Sequence, residues 1–233
     1  MERLEKESVL LTILMPCRNE AATVAISIRE AAAFLEKSKI RGEILVVDNG
    51  STDDSAAIAE RCGARVITQP EKGYGNALRT GLSHSWGSFV ILGDCDTTYD
   101  FLHLEEIYGL LSAGAYDMVI GNRFAGGMEK GSMPLSHKWG VRFLSWLGRK
   151  RLHTDIYDFH CGLRGLSRAG LEKLDLKTSG MEFATEMIAQ AVKAGLSVGQ
   201  VPVRLRKCTL ARKSKLRTLR DGLRHLVYIG KLP

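Results

Sequence analysis

The sequence predicts an α/β protein built on a doubly wound, mostly parallel sheet with helices on both faces. Apolar runs of strand length alternate with Ala- and Leu-rich stretches at helical spacing, and the early runs stop at Pro, Asn, Asp or Gly. A chain of 233 residues with 45% hydrophobic content is also long enough to bury a substantial core.

Taken in order, "VLLTILMP" (9–16) is a buried strand stopped by proline, and "EILVVD" (43–48) is a second one stopped by "NGSTDD". The helical segment "EAATVAISIREAAAFLEKSK" (20–39) between them completes a right-handed crossover unit. The alternation continues through helix 53–63, strand 64–69, helix 75–86, strand 88–94, helix 101–114 and strand 116–122. It breaks at the glycine-rich "FAGGMEKGSMP". A helix over 136–152 follows, mixing Trp139, Phe143, Leu144, Trp146 and Leu147 with Lys138, Arg142, Arg149, Lys150 and Arg151; it reads equally as a core helix with a basic outer face or as a lipid-contacting one. A strand "CGLRGLS", a helix "GMEFATEMIAQAVKAG" and a strand "SVGQVPVRLR" precede a final helix, which carries Leu216, Leu219, Leu223, Leu226 and Val227 on one stripe beside Arg217, Arg220 and Arg224.

The charge is uneven. Residues 204–233 hold ten Lys/Arg against Asp221, for +9, whereas the other 203 residues sum to −2. Basic charge gathered at one end suits a phosphate clamp or an anionic membrane better than nucleic acid. The organisation expected is therefore a catalytic domain over 1–203 and a basic segment with an amphipathic helix over 204–233, packed on or extending it. Five scattered cysteines without a C-x-x-C pair argue against a disulfide framework or a zinc site. No apolar run reaches about 18 residues, so the expectation is an intracellular protein without a spanning helix.

Four segments fall at the carboxyl ends of the first four strands: "PCRNEA", "DNGSTDD", "QPEKGYGNA" and "DCDTTYD". In a doubly wound sheet these ends share one rim, where such sheets bind ligands. Asp94 and Asp96 stand one residue apart there. Three explanations are open: ligands to one Mg²⁺ or Mn²⁺, an acid pair sharing a proton, or two solvated turn acids. If the strand continued through them, both carboxylates would point the same way. The glycines of "KGYGNA", next to a helix start, leave two readings open: they only make a turn, or they let backbone N–H groups at this rim face a phosphate. No P-loop and no G-x-G-x-x-G occurs.

In this order and spacing, "ILMPCRNEAATV", "VVDNGSTDDS", "EKGYGNALRTG", "GDCDTTYD", "GNRFAGG", "DFHCGLRGLS" and "GMEFATEM" resemble the family-two inverting glycosyltransferases of GT-A fold, and within them the dolichol-phosphate mannose synthase and bacterial polyprenyl-phosphate hexose synthase branch. The resemblance implies metal-dependent transfer of a hexose from a nucleoside-diphosphate sugar to a polyprenyl phosphate, at the cytoplasmic face of the membrane. It implies that Pro16, Asn19, Glu20 and Asp48 meet the nucleotide, with Lys72 and Gly73 in the loop beside it. Asp94 and Asp96 would hold the metal, with Cys95 between them on the donor side. Arg123 would meet the acceptor phosphate, with Lys138 and Arg142 as further acceptor cations. Arg212, Ser214 and Lys215 would close over the diphosphate, although Lys213 replaces the usual glycine; Asn49 stands where the family often has Asp. Asp158, Gly162 and Arg164 match the family's central motif, and His160 and Glu186 are further pocket candidates. An anionic phosphate nucleophile needs cations more than a general base.

Three rivals differ in class: a glycosyltransferase for a soluble acceptor, which would need a base near the anomeric carbon; a nucleotidyltransferase, which lacks its basic Gly-rich opening loop here; and a non-catalytic membrane-bound protein, at odds with the Asp pair. The absence of Q-x-x-R-W argues against a processive synthase.

Overall fold

The computed structural model describes residues 9–208 and 218–232, the side chains of 218 and 219 excepted. Its elements in chain order are β1 (Leu11–Cys17), α1 (Val24–Lys37), β2 (Gly42–Asp48), α2 (Ser55–Arg61), β3 (Arg65–Thr68), α3 (Tyr74–His84), β4 (Phe89–Leu92), α4 (Glu105–Ser112), β5 (Met118–Asn122), α5 (Arg123–Gly126), α6 (Leu135–Leu152), β6 (Arg164–Ser167), α7 (Arg168–Leu171), α8 (Phe183–Lys193), β7 (Val198–Pro202) and α9 (Thr218–Gly230). The short turns α5 and α7 have no helical periodicity to announce them; each is nucleated by a cap, Asn122 accepting from the N–H groups of Phe124 and Ala125, and Ser167 from that of Gly170.

The seven strands form one sheet in the order β3-β2-β1-β4-β6-β5-β7. β3, β2, β1 and β4 run parallel, as do β5 and β7, whereas β6 is antiparallel to both of its neighbours. The reversal has a simple cause. The chain leaves β5 at the carboxyl-end rim, and α6 with the 153–163 loop returns it to that same rim, where Arg164 pairs with Leu92; β6 must then descend. This delivers "DFHCG" to the tip of β4. β1 is buried almost throughout, as a strand covered on both faces should be. α1 buries Val24, Ile28, Ala31, Phe34 and Leu35, a stripe at helical spacing.

The last strand stops at Pro202, short of its expected end, and a bridge from Met128 to Leu205 continues its line. α9 buries His225 and Ile229 and turns Leu223, Leu226 and Val227 outward, so the apolar stripe read from the sequence faces away from the domain. Leu216, Leu219 and Arg217 of that stripe and its flank lie outside the described side chains. No helix among the described residues is long and apolar enough to cross a membrane.

Candidate active site

The first two rim loops are laced together by hydrogen bonds, most of them between neutral groups. Asn19, at φ 51°, donates its N–H to Ser51 Oγ (2.9 Å) and accepts from Thr52 N–H at Oδ1 (2.7 Å). Glu20 N–H donates to Ser55 Oγ (2.7 Å), and Ala21 N–H to Asp53 Oδ2 (3.1 Å). Asp48 ends β2 buried, with Ser51 N–H 3.3 Å from both oxygens. Pro16, half-buried, offers its carbonyl to the Cys95 thiol at 3.4 Å. That thiol is buried beside Cys17, whose hydrogen bond, together with burial, raises its pKa well above the ordinary thiol range. Cys95 can therefore meet a donor only through its backbone.

Asn49 builds the third loop. Its amide nitrogen donates to the carbonyls of Gln69 (2.9 Å) and Glu71 (2.8 Å), and its Oδ1 accepts from Gly73 N–H (2.7 Å). An aspartate could accept but not donate, so the departure from the family pattern has a structural reason. Gly73 and Gly75 are glycines because a β-carbon would come within 2.2 Å of the Ser179 carbonyl at one and 2.3 Å of the Thr178 carbonyl at the other. Gly75 N–H donates to the Ser179 carbonyl at 3.0 Å. Gly73 and Gly75 thus add nothing to the expected phosphate cradle: their N–H groups are engaged within the protein. Lys72 is exposed, its stem beside Gly50, and it supplies this loop's positive charge.

The carboxylate pair lies just past β4, in a turn rather than on an extension of the strand, so the same-face argument from strand alternation does not apply. Asp96 is buried, and its Oδ1 accepts from Thr98 N–H (3.0 Å) and from the Thr98 hydroxyl in a short bond. Asp94 receives the Tyr74 hydroxyl, whose pKa is driven well up by burial and then by the Asp94 charge, so the phenol stays protonated and donates. A β-carbon on Gly162 would approach Asp94 Oδ2 to 2.8 Å, so the central motif's glycine makes room for this carboxylate. Gly162 N–H in turn donates to Tyr99 Oη (2.7 Å).

Charged groups build the other side. Arg123 and Asp158 form a bidentate pair, Nε to Oδ2 at 2.7 Å and Nη2 to Oδ1 at 2.8 Å, and Arg123 N–H adds a third bond at 3.2 Å. Burial opposes the Arg123 charge, but Tyr99 and Asp158 outweigh it and hold its pKa well up. Asp158 thus neutralises the arginine expected at the acceptor phosphate, and the pair fixes α5 to the 158–162 loop. Arg164 likewise serves the scaffold, donating to the carbonyls of Cys161 (2.7 Å), Ala184 (2.7 Å) and Phe159 (2.6 Å). Glu186 receives Lys177 N–H and Thr178 N–H, both at 2.9 Å, and so anchors the segment that presses on Gly73 and Gly75. His160 Nε2 lies 3.3 Å from His225 Nδ1, which is 2.8 Å from Thr185 Oγ1. Burial pushes His160 well below the usual imidazole value and His225 down to about 4. Arg224 on α9 pairs with Glu182 at 2.7 Å.

Lys138 is half-buried on α6, and Arg142, exposed, stacks its guanidinium 4.8 Å from the centre of the Phe124 ring, next to Arg123. Arg212, Ser214 and Lys215 lie outside the described residues. Sequence reasoning passed over Tyr74, Thr98 and Glu182. A hydroxyl two residues after Asp96 and a tyrosine between two rim glycines were the available signals for the first two; the Glu182 pairing joins residues 42 positions apart and had none.

The donor set fits a hard divalent cation: two carboxylates at one strand tip, one with its rotamer held by Thr98. Among the described residues no three His, Cys, Asp or Glu side chains form a metal-holding group, so an ion here would complete its shell with water and a diphosphate.

The sequence profile described as "Glycosyl transferase family 2" matches residues 12–175. A low-salt glycan biosynthesis hexosyltransferase of Haloferax volcanii is 34% identical over 220 residues, covering 94% of this chain and 52% of the relative. A dolichyl-phosphate hexose transferase of the same organism is 30% identical over 167 residues, 72% of this chain and 71% of the relative. The chain thus spans about half the length of the first of these relatives. Glucosyl-3-phosphoglycerate synthase from Mycobacterium tuberculosis, solved with Mn²⁺, uridine diphosphate and glucosyl-3-phosphoglycerate, superposes with a TM-score of 0.75 at 22% identity, covering 99% of this chain and 83% of that one, and shares the GT-A fold. With its acidic pair at the tip of β4 and its rim of laced loops, this chain belongs to glycosyl transferase family 2.

Proposed function

We propose that this glycosyltransferase moves a hexose from a nucleoside-diphosphate sugar to a polyprenyl phosphate at an anionic membrane surface, inverting the anomeric centre. The rim of Pro16, Asn19, Glu20 and Asp48 receives the nucleoside, and Lys72 the diphosphate. Asp94 and Asp96 hold Mg²⁺ or Mn²⁺, which when bound neutralises charge on the departing diphosphate. The phosphate nucleophile is already anionic, so no side chain has to remove a proton; Lys138 and Arg142 hold it in line.

The observation that carries the choice of acceptor is the outer face of α6. Leu135, Trp139, Phe143 and Trp146 are 75%, 72%, 53% and 47% exposed, and their spacing puts them on one stripe of a helix about 27 Å long. Residues 135–152 contain no acid, and Lys138, Arg142, Arg149 and Lys150 border the stripe. Tryptophan beside basic residues is the composition of a helix lying in a lipid interface. Leu223, Leu226 and Val227 of α9, which packs beside α6, are exposed as well, whereas Arg224, tied to Glu182, is not free to serve as a lipid contact. The relative named for dolichyl-phosphate hexose transfer supports the same acceptor class.

The test is incubation with each nucleotide sugar and Mg²⁺ or Mn²⁺, with and without polyprenyl phosphate, followed by mass spectrometry. A hexosyl phosphoprenol is the expected product, and Asp96→Asn should lower turnover by roughly a hundredfold or more, a loss of several kcal/mol of charge stabilisation. Transfer to 3-phosphoglycerate but not to lipid would replace the acceptor with a small phosphate, which Lys138 and Arg142 would also suit. Flotation with anionic vesicles reads the α6 face separately: replacing Trp139 and Phe143 by Ser should abolish co-flotation, and retained binding would remove the face from the proposal.

A further inference from the structure

We infer that Arg206 is a positioning residue for the Asp96 carboxylate, holding the turn after β4 in a strained shape that it would not keep by itself. The inference rests on the reading of Asp94 and Asp96 as the metal carboxylates and adds a residue remote from them in sequence.

The strain is at Thr97, between the carboxylate and the residue that orients it. Thr97 sits at φ 65°, in the left-handed region that a β-branched side chain rarely adopts. Such a conformation persists only where its surroundings over-determine it. Inside the turn, Thr98 N–H and hydroxyl hold Asp96 Oδ1, and Thr97 Oγ1 donates to the Asp96 carbonyl at 2.6 Å. The hold from outside is Arg206. Its backbone N–H, which a side-chain substitution leaves in place, donates to the Thr98 carbonyl at 2.9 Å, so the Arg206 main chain and Asp96 grip the two ends of one residue. Its guanidinium forks between Glu30 Oε1 on α1, at 2.7 Å, and Asp100 in a short ion pair. Glu30 Oε2 also accepts Phe101 N–H at 3.2 Å, and Asp100 accepts Leu102 N–H at 3.0 Å and meets His103 at 3.0 Å. The segment that leaves the carboxylate turn, residues 100–103, is therefore referred to one guanidinium. The segment that carries it is itself fixed, by Leu205 N–H on the Gly127 carbonyl (3.0 Å) and Lys207 N–H on Glu129 (2.8 Å). Without the Arg206 side chain, Glu30 and Asp100 lose the guanidinium that ties them together, and the turn would relax toward an unstrained φ.

The full chain is titrated with Mn²⁺, alone and with UDP or GDP, and bound metal is read from the loss of the free-ion electron paramagnetic resonance signal; thermal melting is recorded alongside. Arg206→Gln should weaken Mn²⁺ binding about tenfold. Arg168→Gln is the control, because Arg168 is a half-buried arginine bonded to the carbonyls of Ser85 and Gly87 before the start of β4. It should lower the melting temperature while leaving Mn²⁺ affinity within twofold. Asparagine accepts the left-handed region, so in a Thr97→Asn background the loss of Arg206 should cost threefold or less. Unchanged affinity in folded Arg206→Gln, an equal loss in Arg168→Gln, or a full tenfold loss in the Thr97→Asn background would each overturn the inference. If Arg206→Gln does not fold, the charge-balanced Arg206→Gln/Asp100→Asn variant carries the same expectation and the same overturning result. A wild-type chain that binds no Mn²⁺ under any condition would instead remove the metal site, and the role of Arg206 with it.

Discussion

The rim over β1, β2 and β3 and the rim over β5, β6 and α8 do the same mechanical job, holding loops at strand tips, with different chemistry. On the first, Asn19, Asn49, Ser51 and Ser55 bond to the backbone of neighbouring loops, each bond neutral and modest in net worth. On the second, Arg123 with Asp158, Arg164 on three carbonyls, and the His160–His225 pair place ionisable groups where water is scarce. Neutral lacing tolerates the loss of a strand of it. A buried charge that loses its partner is left uncompensated, so the second rim should be the more brittle and the more sensitive to pH.

The sharpest way to break that contrast is at Asp158. Asp158→Asn leaves Arg123 charged and buried, and the expected cost is about 3–5 kcal/mol in urea unfolding. A cost under ~1 kcal/mol would mean that the second rim is no more brittle than the first.

The histidine pair sets the pH side of the comparison. Both imidazoles are depressed when folded, so between pH 6.5 and about 4 the unfolded chain binds more protons and stability falls as the pH falls. His225 alone corresponds to a loss on the order of 3 kcal/mol across that window. Melting curves from pH 7 to pH 4 should show it, and His225→Phe should flatten the slope; an unchanged slope would place the acid sensitivity elsewhere.

On the first rim, Asn49→Asp sets a carboxylate against the Gln69 and Glu71 carbonyls. A cost of about 1–3 kcal/mol is expected at pH 8, and less at pH 5. The sign follows because the folded pKa of such an Asp would be raised, so its penalty grows as the pH rises through it. Equal stability at both pH values would show that the loop rearranges. The smallest effect belongs to the exposed Lys37–Glu105 pair, at 3.2 Å between α1 and α4. Lys37→Ala should move stability by less than ~1 kcal/mol, which fixes the scale on which the other changes are judged.

Much of this was legible in the chain. The strand–helix alternation to residue 122, the four rim segments and the Asp94–Asp96 pair each depend on short-range pattern, and short-range pattern survives into the fold because apolar runs must be covered and strand ends must turn. What the chain does not show has the opposite character. The "KGYGNA" segment carries no sign that the Ser179 carbonyl, about a hundred residues away, takes up the Gly75 N–H, or that Asn49 takes up that of Gly73. The resemblance assigns Arg123 to the acceptor phosphate, and a lone arginine in a loop carries no sign of the Asp158 that pairs with it. The outward turn of Leu223, Leu226 and Val227 could not be separated from an inward one, since an amphipathic stripe states that one face is apolar and not what it faces.

By itself, then, the sequence determined the parallel half of the sheet, the place of the acidic pair and the family, all consequences of local hydrophobic spacing and turn chemistry. The tertiary structure decided the direction of β6, which rests on the rim at which α6 returns the chain. It decided which charges are cancelled by buried partners, and which stripe of α6 is left uncovered. These are pairings between distant segments, and no residue carries the identity of the neighbour that folding will bring to it.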